Sequence, residues 1–300
     1  MSTLRELKTR IGSVSSSEKI TGAMKMISSA KVHKNEQQLR MLLPFRNRLK
    51  SIVGHLLDAD ATFSSALIEE RADVKHVGLV AFGSDDGLCG AYNINIFKFL
   101  LTVIDDVKMK YGEDVRISVF VVGSKLLRAV TKLRSHGIDV VTTEGVDSKM
   151  EGDKVSAFTD SLRKRFLSGE LDLVSVVYMK FHSISRQKPV SEQLFPVIPS
   201  ALLDQAADSK SGEESNKPYI FEPNPNSIFN QVLPMYVQST MQDITVENRA
   251  SEQAARIMAM QSANDNAKKL LESLHLEYNK LRQQSITTEL LDIIGGQVER

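Results

Sequence analysis

Apolar residues near the amino terminus recur in alternating steps of three and four: Leu4, Leu7, Ile11 and Val14. That rhythm predicts one face of an α-helix, because a strand would repeat every second residue. Beyond Val14 the phase slips, and Ile20, Met24 and Ile27 continue the apolar stripe. A slip of this kind changes the local winding of a coiled coil. Pro44 has no amide to bond back to residue 40, so a kink or break is expected there. From Thr3 to Leu43 a helix would run roughly 60 Å at 1.5 Å per residue, and a rod that long needs a partner.

The far end of the chain offers one. Between Ser227 and Ile294 there is no glycine and one proline, Pro234. Ala250, Ala254 and Ile257, then Ala263, Ala267, Leu270, Leu274 and Leu281, keep a mostly three–four rhythm. A helix from Pro234 to Ile294 would span roughly 90 Å. Gly295-Gly296 is its expected stop. Alanine and methionine recur along both stripes (Ala23, Met24, Met26, Ala30; Met258, Ala259, Met260), which suits close and adaptable helix packing.

Between the arms the grammar changes. His76–Phe82, Val115–Val122, Ile138–Val141 and Leu173–Phe181 are short runs rich in valine and isoleucine, as buried strands are. Helical patterns at 93–110, 124–135 and 153–168 separate them. That alternation predicts a parallel or mostly parallel α/β sheet, with Pro189–Ile198 as a further edge strand. Residues 204–217 are polar and read as a loop. The expected architecture is a long antiparallel coiled coil of the two terminal helices with an inserted Rossmann-like α/β domain. Its expected divisions are 1–70 for the first arm, 71–200 for the α/β domain, 201–225 for a loop segment and 226–300 for the second arm.

Charge matters locally. The whole chain has a formal net charge of +1, which gives no general pull toward nucleic acid or membrane. Residues 1–50 hold eleven Lys and Arg against three Asp and Glu, so this arm carries 11 − 3 = +8. The plainer reading is a solvated basic face, and the functional one is contact with an acidic partner. The single cysteine, Cys89, rules out an internal disulfide framework and fits a reducing compartment. No apolar run reaches the roughly 18 residues that span a bilayer, and the amino terminus lacks a signal-peptide core. A soluble protein is expected, held at any membrane by other subunits.

The chemistry-bearing motifs argue against catalysis. Ser84-Asp85-Asp86-Gly87-Leu88-Cys89-Gly90 follows the first strand and precedes a helix, where a phosphate loop would lie. Its glycines, at 83, 87 and 90, do not match G-x-G-x-x-G, and no G-x-x-x-x-G-K-[ST] occurs. Two carboxylates there would also repel a phosphate, so a tight strand-to-helix connection is the better reading. Asp85 and Asp86 as an acid–base pair are weaker than Asp85 and Asp86 as turn-bonding residues. The six histidines are scattered without metal-ligand spacing, and no G-x-S-x-G elbow is present. No catalytic residue, cofactor or metal is expected. On pattern alone two other classes stay open: a coiled-coil scaffold or tether, and a nucleotide-dependent α/β enzyme with helical extensions.

Several segments together resemble one family. Ile11-Gly12-Ser13-Val14 and Lys19-Ile20-Thr21-Gly22-Ala23-Met24-Lys25-Met26 are similar to the I-x-S-V and K-I-T-K-A-M-x-M of ATP synthase gamma subunits. Residues 84–93 resemble the family's S-D-R-G-L-C-G-x-x-N, and Tyr219-Ile220-Phe221-Glu222-Pro223 its Y-x-x-E-P. Ser251 to Met260 and Tyr278 to Leu290 match over the longest stretches. Two positions depart: Gly22 stands where lysine is usual, and Asp86 where arginine is usual. The inserted dithiol of the chloroplast branch is excluded by the single cysteine.

The resemblance implies a non-catalytic central rotor shaft that couples proton flow through a membrane c-ring to ATP synthesis or hydrolysis on beta subunits, and that regulates ATPase activity. Implied partners are the alpha, beta and epsilon subunits and the c-ring, with no nucleic acid. The implied location is peripheral, on the cytoplasmic face of a bacterial plasma (inner) membrane. By resemblance, Arg282, Gln283, Met24 and Lys25 contact the beta subunit, and Tyr219 and Glu222 lie toward the c-ring at the foot. The plainer readings are exposed helix surface for Arg282 and Gln283, coiled-coil core for Met24, and a loop anchor for Tyr219 and Glu222.

Overall fold

The computed structural model describes residues 3–57, 63–143, 145–198 and 221–298. It is built on two terminal helices, α1 (Leu4–Leu57, 54 residues) and α5 (Pro225–Val298, 74 residues). They run antiparallel, as three widely spaced contacts establish. Asn264 Nδ2 donates to the Glu18 carbonyl at 2.7 Å, Arg46 lies 3.0 Å from Asp243, and Ser64 N donates to Asn226 Oδ1 at 3.1 Å.

The face that α1 turns to α5 differs from the one its apolar residues predict. Its buried and half-buried residues include Leu4, Leu7, Ile11, Val14, Glu18, Thr21, Lys25, Ser28, Val32, Asn35, Leu39, Leu42, Arg46, Leu49 and Val53, an unbroken three–four heptad. The phase does not slip. Ile20, Met26 and Ile27 are exposed, at 59%, 69% and 57%, and Ala23 and Ala30 face water with them. Small and polar residues hold the seam because Asn264 crosses it to bond the backbone of α1. On α5 the seam runs through Ile257, Met260, Asn264, Ala267, Leu271, Leu274, Tyr278 and Leu281, with Leu270 left exposed.

Neither predicted breaker ends its helix. α1 continues through Pro44, which is exposed together with Arg40, so the carbonyl lacking an amide partner lies on the water side. Leu42, Arg46 and Leu49 hold the helix against α5 on either side. α5 likewise continues through Gly295-Gly296 to Val298. Glycine in a helix costs about 1 kcal/mol, which weakens a long helix without stopping it.

The inserted domain has one five-stranded sheet, with β1 (His76–Phe82), β2 (Arg116–Val122), β3 (Asp139–Val141), β4 (Leu173–Ser183) and β5 (Arg186–Phe195). Their order is β3-β2-β1-β4-β5, parallel throughout except for the antiparallel edge β5. Between strands lie α2 (Tyr92–Tyr111), α3 (Ser124–Val130) with a 3-10 turn (Thr131–His136), and α4 (Gly152–Leu167). These elements follow the predicted ones closely, because apolar runs of seven residues bounded by turns leave few alternatives.

Alternation along the strands divides two cores. Val77, Leu79 and Ala81 pack with α2 and α3, through Ile96, Leu100, Leu126 and Val130. Val80 and Phe82 face the other way, into a core shared with α4 (Phe158, Leu162, Phe166), the base of α5 (Phe229, Leu233, Met241) and the end of α1 (Val53, Leu56). The shaft is therefore part of the domain's own core, and the two parts cannot separate without exposing it.

Candidate functional site

Two features carry the functional question: the crevice at the carboxyl ends of the parallel strands, and the surface of the shaft. Open parallel sheets bind ligands at the first of these. Here the loop after β1 is tied down by the chain itself. Ser84 N donates to Asn93 Oδ1 at 3.1 Å, and Asn93 Nδ2 returns to Ser84 Oγ at 2.8 Å, fixing the loop to the first turn of α2. Asp85 spreads its two oxygens over two segments: Oδ1 accepts the Ser124 amide at the start of α3, and Oδ2 accepts the Ser148 amide, each at 2.7 Å. Burial works to raise this carboxyl's pKa, but the Ser124 and Ser148 hydrogen bonds outweigh it and hold the value below the ordinary one. Asp86 pairs with Lys149 at 3.0 Å.

α5 then closes the crevice. Arg256 Nε donates to the Gly87 carbonyl at 3.1 Å and its Nη2 to the Asp86 carbonyl at 3.4 Å, while Nη2 also meets Glu252 Oε1 at 2.8 Å. Both residues of this pair are buried. Burial raises the Glu252 carboxyl against the lowering effect of Arg256. One turn earlier, Asn248 Oδ1 accepts the Tyr92 hydroxyl at 2.7 Å and the Met179 amide at 3.3 Å, and its Nδ2 donates to the Gly83 carbonyl at 3.3 Å. Ser251 Oγ donates to the Met179 carbonyl at 2.8 Å, and Arg249 donates to the carbonyls of Ser148 and Met150. The place a phosphate would take is filled by a helix, and the polar groups around it are spent on anchoring that helix. Among the described residues no three His, Cys, Asp or Glu side chains gather as a metal would require.

A second polar cluster sits lower, where α1 and α5 pass the edge of the sheet. Buried Asp243 faces Arg46, with Lys50 and Glu247 nearby, and Tyr178 donates to Glu192 Oε1 at 2.8 Å. Burial raises the Asp243 and Glu247 carboxyls and lowers the Lys50 amine, the last reinforced by Arg46. Sequence reasoning missed both clusters. The one visible signal lay in the second: Arg46 and Asp243 are charged residues at heptad positions that should be apolar.

The residues singled out by resemblance fall in three places. Met24 and Lys25 are half-buried: Lys25 lies in phase with the seam and Met24 beside it. Arg282 and Gln283 are both exposed. The register set by Asn264 against Glu18 places them where α5 begins to outrun the first turn of α1, roughly 35 Å beyond the level of Met24 at 1.5 Å per residue. Glu222 is exposed just ahead of the first turn of α5, at the opposite end of the molecule. Tyr219 lies outside the described residues. The structure thus groups none of the described ones as one site; it sets them at separate levels along a rod.

Comparison with known proteins agrees over nearly the whole length. A sequence model of the family described as ATP synthase matches residues 3–298. An ATP synthase gamma chain of Bacteroides thetaiotaomicron is 37% identical over 303 aligned positions, covering all of both chains. One from Pasteurella multocida is 34% identical, covering 99% of each. Among solved structures, a chain of the Euglena gracilis mitochondrial ATP synthase (OSCP/F1/c-ring) is similar with TM-score 0.65 and 20% identity, covering 98% of this chain and 93% of that one. A chain of the Tetrahymena thermophila central stalk/c-ring is similar with TM-score 0.54 and 18% identity, covering 81% and 99%.

Proposed function

This chain belongs to the ATP synthase gamma-chain family, and from that premise we propose that it works as the rotor shaft, transmitting torque between a membrane ring and the catalytic subunits without carrying catalytic groups. The observation that supports this most is mechanical. Helices of 54 and 74 residues pair antiparallel, and their base is buried in the core of a rigid α/β plate. A rod anchored in this way turns with its base. Its surface does the signalling: each orientation favours a different conformation of the surrounding catalytic subunits by differential contact.

In this reading alpha and beta subunits surround the upper shaft, and the epsilon subunit and c-ring meet the domain and foot. The exposed Ile20, Met26 and Ile27, with exposed Lys19, give the outer surface of this arm an apolar and basic character suited to acidic partner segments. Met24, Lys25, Arg282 and Gln283 are the beta-facing contacts, and Tyr219 and Glu222 the foot contacts. Arginine's planar fork at Arg282 suits a carboxylate. The working divisions of the chain are 1–70, 71–200, 201–225 and 226–300. Among the described residues no helix is long and apolar enough to cross a membrane. In this reading the shaft attaches to the membrane peripherally, through the other subunits, on the cytoplasmic face in a bacterial cell.

A crosslink tests the reading. With Met24→Cys joined by a disulfide to a beta subunit in the assembled complex, ATP turnover is expected to stop and to return on reduction. Undiminished turnover in fully crosslinked complex would show that this chain need not rotate.

A further inference from the structure

A cleft of about 700 Å³ lies beside the crevice already described, between α1, α5 and the turn that leads into α4. That is the size of small-molecule sites, which hold roughly 300–1,000 Å³. Its walls divide by chemistry. Met41, Leu42, Met150, Val155 and Val246 supply an apolar floor. Lys31 and Lys34, exposed on successive turns of α1, stand at the rim with Lys149.

The amino terminus of α4 opens into the same space through Glu151 and Gly152, and its cap, Glu151, makes no side-chain hydrogen bond to the helix. First-turn amides and the helix dipole favour an anion there. A separate observation points the same way. Gln253 lines the cleft at 8% exposure, and its carbonyl oxygen is buried with no hydrogen-bond partner in the chain. A buried acceptor left unmatched costs about 1–3 kcal/mol, so such groups normally have a use. The opposing carboxylates are Glu151, Asp153 in the first turn of α4, Glu252, engaged by Arg256 at 2.8 Å, and Asp86, which pairs with Lys149 at 3.0 Å, so Lys31 and Lys34 are the cations left for an anion.

The geometry points to a binding site for a nucleotide-sized organic phosphate. The phosphate lies between Lys31, Lys34 and the start of α4, the apolar or planar body covers Met41 and Val246, and a ligand N–H or O–H donates to the Gln253 carbonyl oxygen. The site would regulate rather than react, since it spans both arms and the domain and holds no nucleophile positioned against the phosphate. It does not depend on the rotor reading.

Binding is measured calorimetrically on the full chain and on the assembled complex, with AMP, with a soluble monoacylglycerol phosphate and with inorganic phosphate. One of the two organic phosphates is expected to bind saturably and more tightly than phosphate alone, and which one identifies the source. Lys31→Ala/Lys34→Ala is expected to weaken that binding by about tenfold or more. Gln253→Leu is expected to weaken it without lowering the thermal unfolding midpoint, which separates loss of a site from loss of folding. Absence of saturable binding, affinity unchanged in the double variant, or binding to the chain that vanishes in the complex would each overturn the proposal; the last would make the cleft a subunit interface.

Discussion

Asp85 is the residue whose chemistry reads most differently in sequence and in structure. As one of two adjacent carboxylates in a loop it suggested turn bonding, and it does bond locally, but across two segments, to the Ser124 and Ser148 amides. Asparagine offers only one acceptor, so Asp85→Asn turns an amide N–H against a backbone N–H. The expected loss is about 2 kcal/mol at neutral pH. The sign with pH follows from its lowered pKa. Its contribution is complete above the ordinary carboxylate range, about 4, and is lost as pH falls through the lower folded value. Asp243, Glu247 and Glu252 behave oppositely: burial raises them, so the folded state holds their protons more tightly and loses stability as pH rises from the ordinary range through the raised values. Unfolding midpoints followed from about pH 3 to 6 are expected to show a flatter acid limb in Asp85→Asn than in the parent. An unchanged limb would mean that the amides are satisfied otherwise. Nothing in the spacing of Asp85 announced Ser148 as its partner, since the contact joins residues 63 apart in sequence.

At the scale of elements, two glycines make opposite demands. Gly22 sits in α1 where a Cβ would meet only Asn264 Nδ2, at 3.4 Å. Gly22→Ala is therefore expected to stabilise the arm by up to about 1 kcal/mol, the helix-propensity difference, read as a higher unfolding midpoint. Gly83, at the end of β1, would put a Cβ 2.3 Å from that of Leu126. Gly83→Ala is expected to cost about 3 kcal/mol, with loss of soluble folded chain as the readout. The strands were legible because runs such as Leu79-Val80-Ala81-Phe82 permit little else. The seam of α1 was not, beyond Val14. Apolar spacing favoured Ile20 and Ile27, whereas the packed face takes Glu18, Thr21, Lys25 and Ser28, because a hydrogen-bonded asparagine and close approach outcompete larger apolar side chains there. Pro44 and Gly295-Gly296 do not end their helices for a related reason: local propensities of a few kcal/mol yield to a helix that is held along its length.

For the whole molecule, the test is whether a surface residue remote from any chemistry alters energy coupling. Arg282 is exposed on the part of α5 that runs past α1, makes no ion pair among the described residues, and is one of the beta-facing contacts proposed above. Arg282→Ala is expected to leave assembly intact and to slow coupled ATP synthesis about fivefold, the equivalent of one charge contact of about 1 kcal/mol. Synthesis at the parent rate in reconstituted complex would remove Arg282 from the transmission surface. The sequence by itself determined that two long helices flank an α/β sheet, which strands that sheet contains, and to which family the motifs point, because periodicity and short motifs are local properties. Only the tertiary structure decided which face of α1 meets α5, that Arg256 and Asn248 close the crevice where a phosphate would bind, and that Asp243 and Lys50 are buried beside half-buried Arg46. Those outcomes depend on what each residue finds across the fold, and free energies of contact between segments 150 or more residues apart are written in no single stretch of chain.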